Sequence, residues 1–224
     1  MPERTTANDR PPAIPGLDAD ATPLLGIGLG LTGLVLGLRP RLAPLPLALT
    51  ALTALLYRDP ERMTPTQVNA VFAPIDGTVF RIDETYDHRF LHTDCMHISM
   101  TLSPIDVPIL RSPATGVVRH LEYMTGDYRP PWDPEAHERN ARTFIGIETD
   151  WGHVMLIQIA GPLARRMVCH VELGDHVEVG ARIGSVRFGG RVDLLIQRDT
   201  IRSLLSIGQH VTGGMTPLAH ITPL

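Results

Sequence analysis

The sequence predicts a mainly β domain preceded by an N-terminal apolar helical hairpin, and three observations carry that reading. Apolar residues crowd into residues 21–57, where two uncharged runs flank Arg39-Pro40-Arg41. Beyond Met63 the period shortens: Ile98, Met100 and Leu102 alternate with His97, Ser99 and Thr101, and Val192, Leu194 and Ile196 repeat the alternation. A period of two sends successive side chains to opposite faces of a strand, so each run reads as a half-buried strand. Finally, Gly174-Asp175-His176-Val177-Glu178-Val179-Gly180 and Gly208-Gln209-His210-Val211-Thr212-Gly213-Gly214 both read G-x-H-V-x-x-G, 34 residues apart. Each copy predicts a short strand entering and leaving a glycine turn.

In chain order, residues 1–20 are Pro-rich and acidic and lack the basic-then-apolar order of a secretory signal, which predicts a disordered tail. Residues 21–57 form the hairpin. Its two rods, Ala21 to Leu38 and Leu42 to Tyr57, hold 18 and 16 uncharged residues. At 1.5 Å per residue they reach roughly 27 and 24 Å, a little under a hydrocarbon core of about 30 Å, so a full double span and a re-entrant hairpin both satisfy the lengths. Gly26, Gly30, Gly33 and Gly37 are spaced to let the rods approach closely. The cluster Arg58-Asp59-Pro60-Glu61-Arg62 ends the segment, and residues 58–224 make the β domain, which also contains the apolar run Val154 to Ile159. Arg4, Arg10, Arg58 and Arg62 flank the hairpin on the domain side against Arg39 and Arg41 at its tip, so the β domain is expected on the cytoplasmic face.

Composition removes several function classes. A length of 224 residues suits one compact domain plus an appendage. The net charge of −4 supplies no cationic excess for a polyanion, so nucleic acid is not an expected partner. All 20 basic residues are Arg, and without Lys no Schiff-base, biotinyl or lipoyl lysine can form. That matters because the repeated glycine turns resemble the barrel-sandwich hybrid modules that carry biotin and lipoate. Cys95 and Cys169 stand far apart, so neither a disulfide framework nor a four-cysteine zinc site is encoded. His88, His92, Asp94 and His97 lie within ten residues and could meet around a metal if their loop folds back. Glu138-Arg139-Asn140, after His137, reads either as an ion-paired loop or as a substrate clamp.

The order of motifs is more specific. Tyr57-Arg58-Asp59-Pro60-Glu61-Arg62, Ala73-Pro74-Ile75-Asp76-Gly77, Leu102-Ser103-Pro104-Ile105-Asp106-Val107, His137-Glu138-Arg139-Asn140, Gln158-Ile159-Ala160-Gly161 through Ala164-Arg165-Arg166, and Arg187-Phe188-Gly189-Gly190-Arg191-Val192-Asp193-Leu194 follow one another. This series resembles the short bacterial and archaeal phosphatidylserine decarboxylases, from about residue 23 to the C-terminus. The resemblance implies a proenzyme that cuts its own Gly-Ser bond within F-G-S-R-V-D, turning the serine into a pyruvoyl electron sink that serves phosphatidylethanolamine biosynthesis. It places the cleaved bond at Gly189-Gly190, where the serine is replaced by glycine. It places the family histidine of S-P-x-D-V-H-V-N-R at Pro108 and the family asparagine at Leu110, and it matches Asp76 to the aspartate that works with the maturation serine.

Glycine has no hydroxyl to attack a carbonyl and no β-carbon to become the pyruvoyl methyl, so no cofactor is expected in this chain. The Gly184-Ser185 bond is an alternative cleavage site five residues away, at an odd offset that reverses side-chain direction along a continuous strand. Arg111, Arg139, Arg165 and Arg166, with Glu138 and Asn140, are the candidate phospholipid-binding residues, since guanidinium groups hold phosphate in pairs. The expected function is that of a membrane protein of this family unable to self-process. The alternatives are a phospholipid-binding or regulatory pseudoenzyme that pairs with an intact paralogue or with itself, and a metal-assisted enzyme built on the His88–His97 loop.

Overall fold

The computed structural model describes residues 16–18, 21–65, 69–130, 133, 135–162, 167–187 and 189–221. The described residues divide into two units, one ending at Glu61 and the other beginning at Arg62. Most of the expected tail lies outside the described residues. Residues 16–18 do not fit a disordered tail: Leu17 bridges to Arg58, and the Asp59 N–H donates to the Gly16 carbonyl at 2.8 Å. A short antiparallel bridge satisfies backbone groups that a free tail would leave to water.

The first unit is the hairpin of α1 (Ala21–Leu38) and α2 (Pro44–Leu56), joined by a 3-10 turn over Pro40–Leu42. Helix α1 is long and apolar enough to cross a membrane, and Leu24, Ile27, Leu29, Leu31, Leu34 and Leu36 are exposed on it. Helix α2 is shorter than the expected rod because the turn takes Leu42 and the helix runs only from Pro44 to Leu56; its 13 residues reach about 20 Å. The small-residue stripe also falls elsewhere. A Cβ on Gly26, Gly30, Gly33 or Gly37 would meet nothing within 4 Å, whereas one on Gly28 would lie 2.3 Å from Thr50 Oγ1 of α2. Gly28 therefore makes the close helix contact, and its carbonyl accepts the Thr32 hydroxyl at 2.7 Å.

The second unit is mainly β, as expected. Among the described residues, strands follow in chain order: β1 (Ala70–Phe72), β2 (Gly77–Tyr86), β3 (Asp94–Leu102), β4 (Ile109–Arg111), β5 (Gly116–Met124), β6 (Arg142–Thr149), β7 (Gly152–Ile159), β8 (Met167–Cys169), β9 (His176–Val177), β10 (Arg182–Val186), β11 (Gly190–Gln197), β12 (Ile201–Ser203), β13 (His210–Val211) and β14 (Pro217–Ile221). A four-residue helix, α3 (Ala136–Arg139), precedes β6. The large antiparallel sheet runs β13-β2-β3-β11-β7-β6-β5-β9, and two three-stranded sheets run β1-β14-β12 and β4-β10-β8.

These orders are pseudo-symmetric about the central β11–β7 pair. Strands β13, β2 and β3 on one side answer β9, β5 and β6 on the other. Register irregularities recur at matching places, Val79/Arg81 and Val118/His120. The two G-x-H-V-x-x-G copies occupy equivalent edges, with His210 and Val211 opposite Thr78 and Gly77, and His176 and Val177 opposite Val117 and Gly116. Their hydrogen bonds also match: Gly208 N–H to Val79 O at 2.7 Å, and Gly174 N–H to Val118 O at 2.8 Å. The 34-residue echo thus belongs to a whole-domain duplication, in which Ala73-Pro74-Ile75-Asp76-Gly77 answers Ser112-Pro113-Ala114-Thr115-Gly116.

The main core fills one face of the large sheet. Ile98, Met100, Val192, Leu194, Leu156 and Ile145 pack there with Leu110, Ile183, Val186 and Leu218 from the small sheets. Strands β3 and β11 are not half-buried as the alternation suggested. His97, Ser99, Arg191 and Asp193 on the opposite face are buried too, beside a second apolar cluster of Leu91, Cys95, Phe144, Met155 and Leu195. The turn glycines separate two physical demands. A Cβ on Gly116 would sit 2.2 Å from the Glu148 carbonyl, while Gly174 has open space but φ of +93°. Gly116→Ala is expected to cost about 1–3 kcal/mol through backbone displacement, and Gly174→Ala about 1 kcal/mol through left-handed strain; urea unfolding of the two variants in detergent checks the order.

Candidate functional site

The motif positions converge where β2, β3 and β11 begin or end. Gly190 faces Leu102 across the β3–β11 ladder. On the other side of β3, a Cβ on Gly77 would lie 2.4 Å from the Thr101 carbonyl and 3.7 Å from Leu102 Cα. Gly77, Leu102 and Gly190 therefore form one row, about 10 Å across at two strand spacings. The turn after β3 covers this row: Asp106 Oδ2 accepts the Ser103 N–H at 2.8 Å, and Pro104 lies 3.8 Å from a Cβ built on Gly189. Pro108 joins from the neighbouring sheet, its carbonyl accepting the Val186 N–H at 2.8 Å.

Within this junction Asp76 is fully engaged. Its Oδ1 accepts from Arg62 Nη1 at 2.5 Å and from the Gly213 N–H at 2.8 Å, and its Oδ2 accepts from Arg62 Nη2 at 2.8 Å. A bidentate guanidinium with a backbone donor satisfies a buried carboxylate, so Asp76 ties the segment after the hairpin to the turn before β14. Gly189 and Gly190 take φ of +86° and +142°. Gly152, which opens the symmetry-related strand β7, takes +146°. Both strand starts use a backbone region that L side chains rarely adopt.

Ser185 lies on β10 rather than on a strand continuous with Gly190. It pairs with Ile109 and Val168 in a small sheet, β10 ends at Val186, and β11 belongs to the large sheet. The odd-offset argument therefore does not apply, because the two positions belong to different ladders. Ser185 is fully buried.

Of the expected lipid-binding residues, Arg111 is buried at 3% exposure, with Nη1 donating to the Gly180 carbonyl at 2.9 Å. Asn140 is a staple: its Oδ1 accepts the Arg129 N–H at 2.9 Å, and its Nδ2 donates to the Arg129 and Ala160 carbonyls. Arg139 pairs with Glu135, and the Glu138 carbonyl accepts from Arg142. Nearby, Arg129 bridges Asp127, Asp133 and Glu135. Arg165 and Arg166 lie outside the described residues.

The histidine loop does not close on a metal, and among the described residues no group of three or more His, Cys, Asp or Glu side chains could hold one. His97 faces the outer side of β3 instead, with Nδ1 2.9 Å from Asp83 Oδ1 and Nε2 3.0 Å from Asp193 Oδ2. Arg191 holds Asp193 through Nε at 2.6 Å and Nη2 at 2.8 Å, donates to Ser99 Oγ at 2.9 Å, and lies 4.9 Å over the Phe80 ring. Sequence reasoning missed this network by reading the polar residues of β3 as solvated. The R-V-D spacing on one strand was the available signal, since residues two apart share a face. Ser99 is fully buried, so this Ser–His–Asp grouping offers no substrate a nucleophile. Burial pushes the Asp193 carboxyl up, but the hydrogen bonds and charges of His97 and Arg191 outweigh it and hold the group below the ordinary carboxylate range. Burial pushes the Cys95 thiol up to about 11 and raises that of Cys169, so neither supplies a thiolate.

Fold and motifs together define a duplicated, barrel-sandwich-type β domain whose motif positions meet at one junction of its two kinds of sheet. Residues 49–219 match the phosphatidylserine decarboxylase family, and the chain belongs to that family, one of lyases in phospholipid biosynthesis. A phosphatidylserine decarboxylase proenzyme of Salinibacter ruber is 42% identical over 182 residues, covering 79% of this chain and 80% of its own. Those of Syntrophus aciditrophicus and Symbiobacterium thermophilum are 37% and 33% identical, covering 79% and 92% of this chain and 83% and 96% of their own.

Asp193→Asn is expected to lower stability by about 3–5 kcal/mol at neutral pH, because Arg191 would keep a buried charge without its counter-ion. A folded-state carboxyl held below its unfolded value stabilises fully above about pH 4 and loses that contribution as pH falls through the lowered value. The acid limb of the stability curve is therefore shallower in the variant, as urea unfolding at stepped pH would show.

Proposed function

We propose that this chain is a membrane-associated phosphatidylserine decarboxylase homologue that keeps the phospholipid-facing β scaffold and does not cut itself into a pyruvoyl enzyme. The observation that carries the reading is Gly190. The residue has no hydroxyl and no β-carbon, and its φ of +142° is one that serine would adopt only with strain. Its counterpart Gly152 has the same backbone, so the strand start is built for glycine. A pyruvoyl group does not fit this position. Pro108 adds to the argument, since a pyrrolidine ring offers no proton where the family motif has its histidine. Asp76 is bound by Arg62 and by backbone, which accounts for its presence without maturation chemistry.

Membrane association is supported by the exposed apolar side chains of α1, and cytoplasmic placement of the β domain by the excess of arginines on the domain side of the hairpin. The competing reading is the family's lyase activity, favoured by 42% identity to a proenzyme. Intact-mass analysis of the purified chain distinguishes them. The expected result is one uncut species of 224 residues; a 35-residue fragment covering 190–224 with a blocked, carbonyl-reactive N-terminus would overturn the proposal. Gly190→Ser alone is expected to remain uncut and to lose about 1 kcal/mol of stability to backbone strain. Gly190→Ser with Pro108→His restores both groups, and fragment formation in that variant would show the junction otherwise competent.

A further inference from the structure

Gln158 opens the Gln158-Ile159-Ala160-Gly161 motif and lies near the end of β7. Its register partners are Val192 on β11 and Thr143 on β6, and like Val154 and Leu156 it takes the core-facing side of β7. The residue is fully buried. Its Nε2 reaches only the Val168 carbonyl, at 3.4 Å, and a Cβ on Gly184 would lie 3.1 Å from that nitrogen. Among the described residues no donor meets its Oε1. A buried carbonyl oxygen without a donor carries a desolvation cost that nothing in the chain offsets.

The architecture does not impose that cost. Gly152 and Gly190 open the symmetry-related strands β7 and β11, and Ile196 stands as far into β11 as Gln158 stands into β7. Ile196 is fully buried in the main core. One half closes this position with hydrocarbon; the other places a carboxamide there. Ser185, whose Oγ is also buried and unpartnered, does not supply the donor: Gly184 is the β10 residue that faces Gln158, and its neighbour points the opposite way.

The remaining neighbour is residue 190. It precedes Val192 by two positions on the same face of β11, so it lies diagonally from Gln158 across the β7–β11 ladder. Diagonal neighbours have Cβ atoms roughly 7–8 Å apart or a little less, within reach of a long side chain. We propose that Gln158 is a positioning residue of the processing centre, its Oε1 being the acceptor for a side-chain hydroxyl at residue 190, which glycine does not supply here. A carboxamide oxygen accepts the hydrogen bond and takes no proton, so it orients such a hydroxyl rather than activating it. The link to processing rests on the reading of Gly190 above; the acceptor itself does not.

The test compares thermal unfolding of full-length variants in detergent. Gly190→Ser and Gly190→Ala put the same Cβ on the same positive-φ backbone and differ by the hydroxyl alone. The expected result is a Tm about 2–4 °C higher for serine than for alanine, and no difference between them once Gln158→Met removes the oxygen at similar length. Gln158→Leu replaces the methionine variant if that chain is too unstable to melt. A merely structural Gln158 would lower both members of each pair alike. Equal Tm values for Gly190→Ser and Gly190→Ala, or a serine advantage that persists without the Gln158 oxygen, would overturn the proposal. If Gly190→Ser cuts itself, the readout is the cutting rate, expected to fall about fivefold with Gln158→Met and to stay unchanged if the proposal is wrong. Cutting of the wild-type chain would remove the reading of Gly190 and leave this comparison standing.

Discussion

The β domain depends on the ladder between β7 and β11, which runs from Ile159 opposite Arg191 to Val154 opposite Ile196. It joins two halves that repeat each other in strand order, bulge position and turn hydrogen bonding. Within each half the first small strand is completed by a strand far along the chain: β4 pairs with β10, and β1 with β14. Such interleaving makes the contacts long-range. Within the adjacent β2–β3 and β5–β6 pairs the backbone approaches closely at Gly77 and Gly116, where a Cβ would strike a carbonyl of the next strand at 2.4 and 2.2 Å. Those glycines are matched because the geometry is matched.

Against that shared frame, the places where the halves differ are informative. Asp76 answers Thr115, the Arg111–Arg182 pair answers Phe72–Pro217, and His97, Ser99 and Asp193 answer Phe144, Gly146 and Met155. At each place one half shows that neutral residues close the fold. Buried ions carry a desolvation cost that apolar packing of similar volume avoids, so the charged versions are not demanded by the architecture. They give the molecule polar chemistry on one half only, around the Asp76 turn and along the outer face of β3 and β11.

Much of this was legible in the residues, and the failures have physical causes. The alternation of Ile98, Met100 and Leu102 identified β3 correctly, because side-chain direction follows from backbone geometry. It could not report that His97 and Ser99 are also buried, because that depends on Arg191 and Asp193 arriving from a strand about 90 residues later. The 34-residue echo exposed the duplication only where both copies kept G-x-H-V-x-x-G; elsewhere burial was preserved while residue type was not. Glycine spacing on α1 indicated a close approach but not its place, since spacing fixes a face and the partner helix decides which glycine it meets. The sequence left the segment holding Asn140 open between an ion-paired loop and a substrate clamp; its side chain holds three backbone groups, and such partners carry no sequence signature.

The persistence of motif residues around an altered centre follows from the same bonding. Asp76 anchors Arg62 and the Gly213 N–H, Arg191 and Asp193 neutralise each other inside the sheet, and the turn from Ser103 to Asp106 is closed by its own side chain. Removing Asp76, Arg191 or Asp193 would strand a buried charge, at a cost of some 1–3 kcal/mol or more. These residues would therefore remain in a chain that had lost its chemistry as readily as in one that kept it, and they carry little weight on the question of activity. Residues 190 and 108 differ in kind. Glycine and proline there satisfy no buried polar group that serine or histidine would leave unsatisfied, so no buried bond holds either residue in place, although the backbone at 190 favours glycine. The functional argument accordingly rests on the two positions whose side chains anchor no buried partner and whose chemistry the reaction requires.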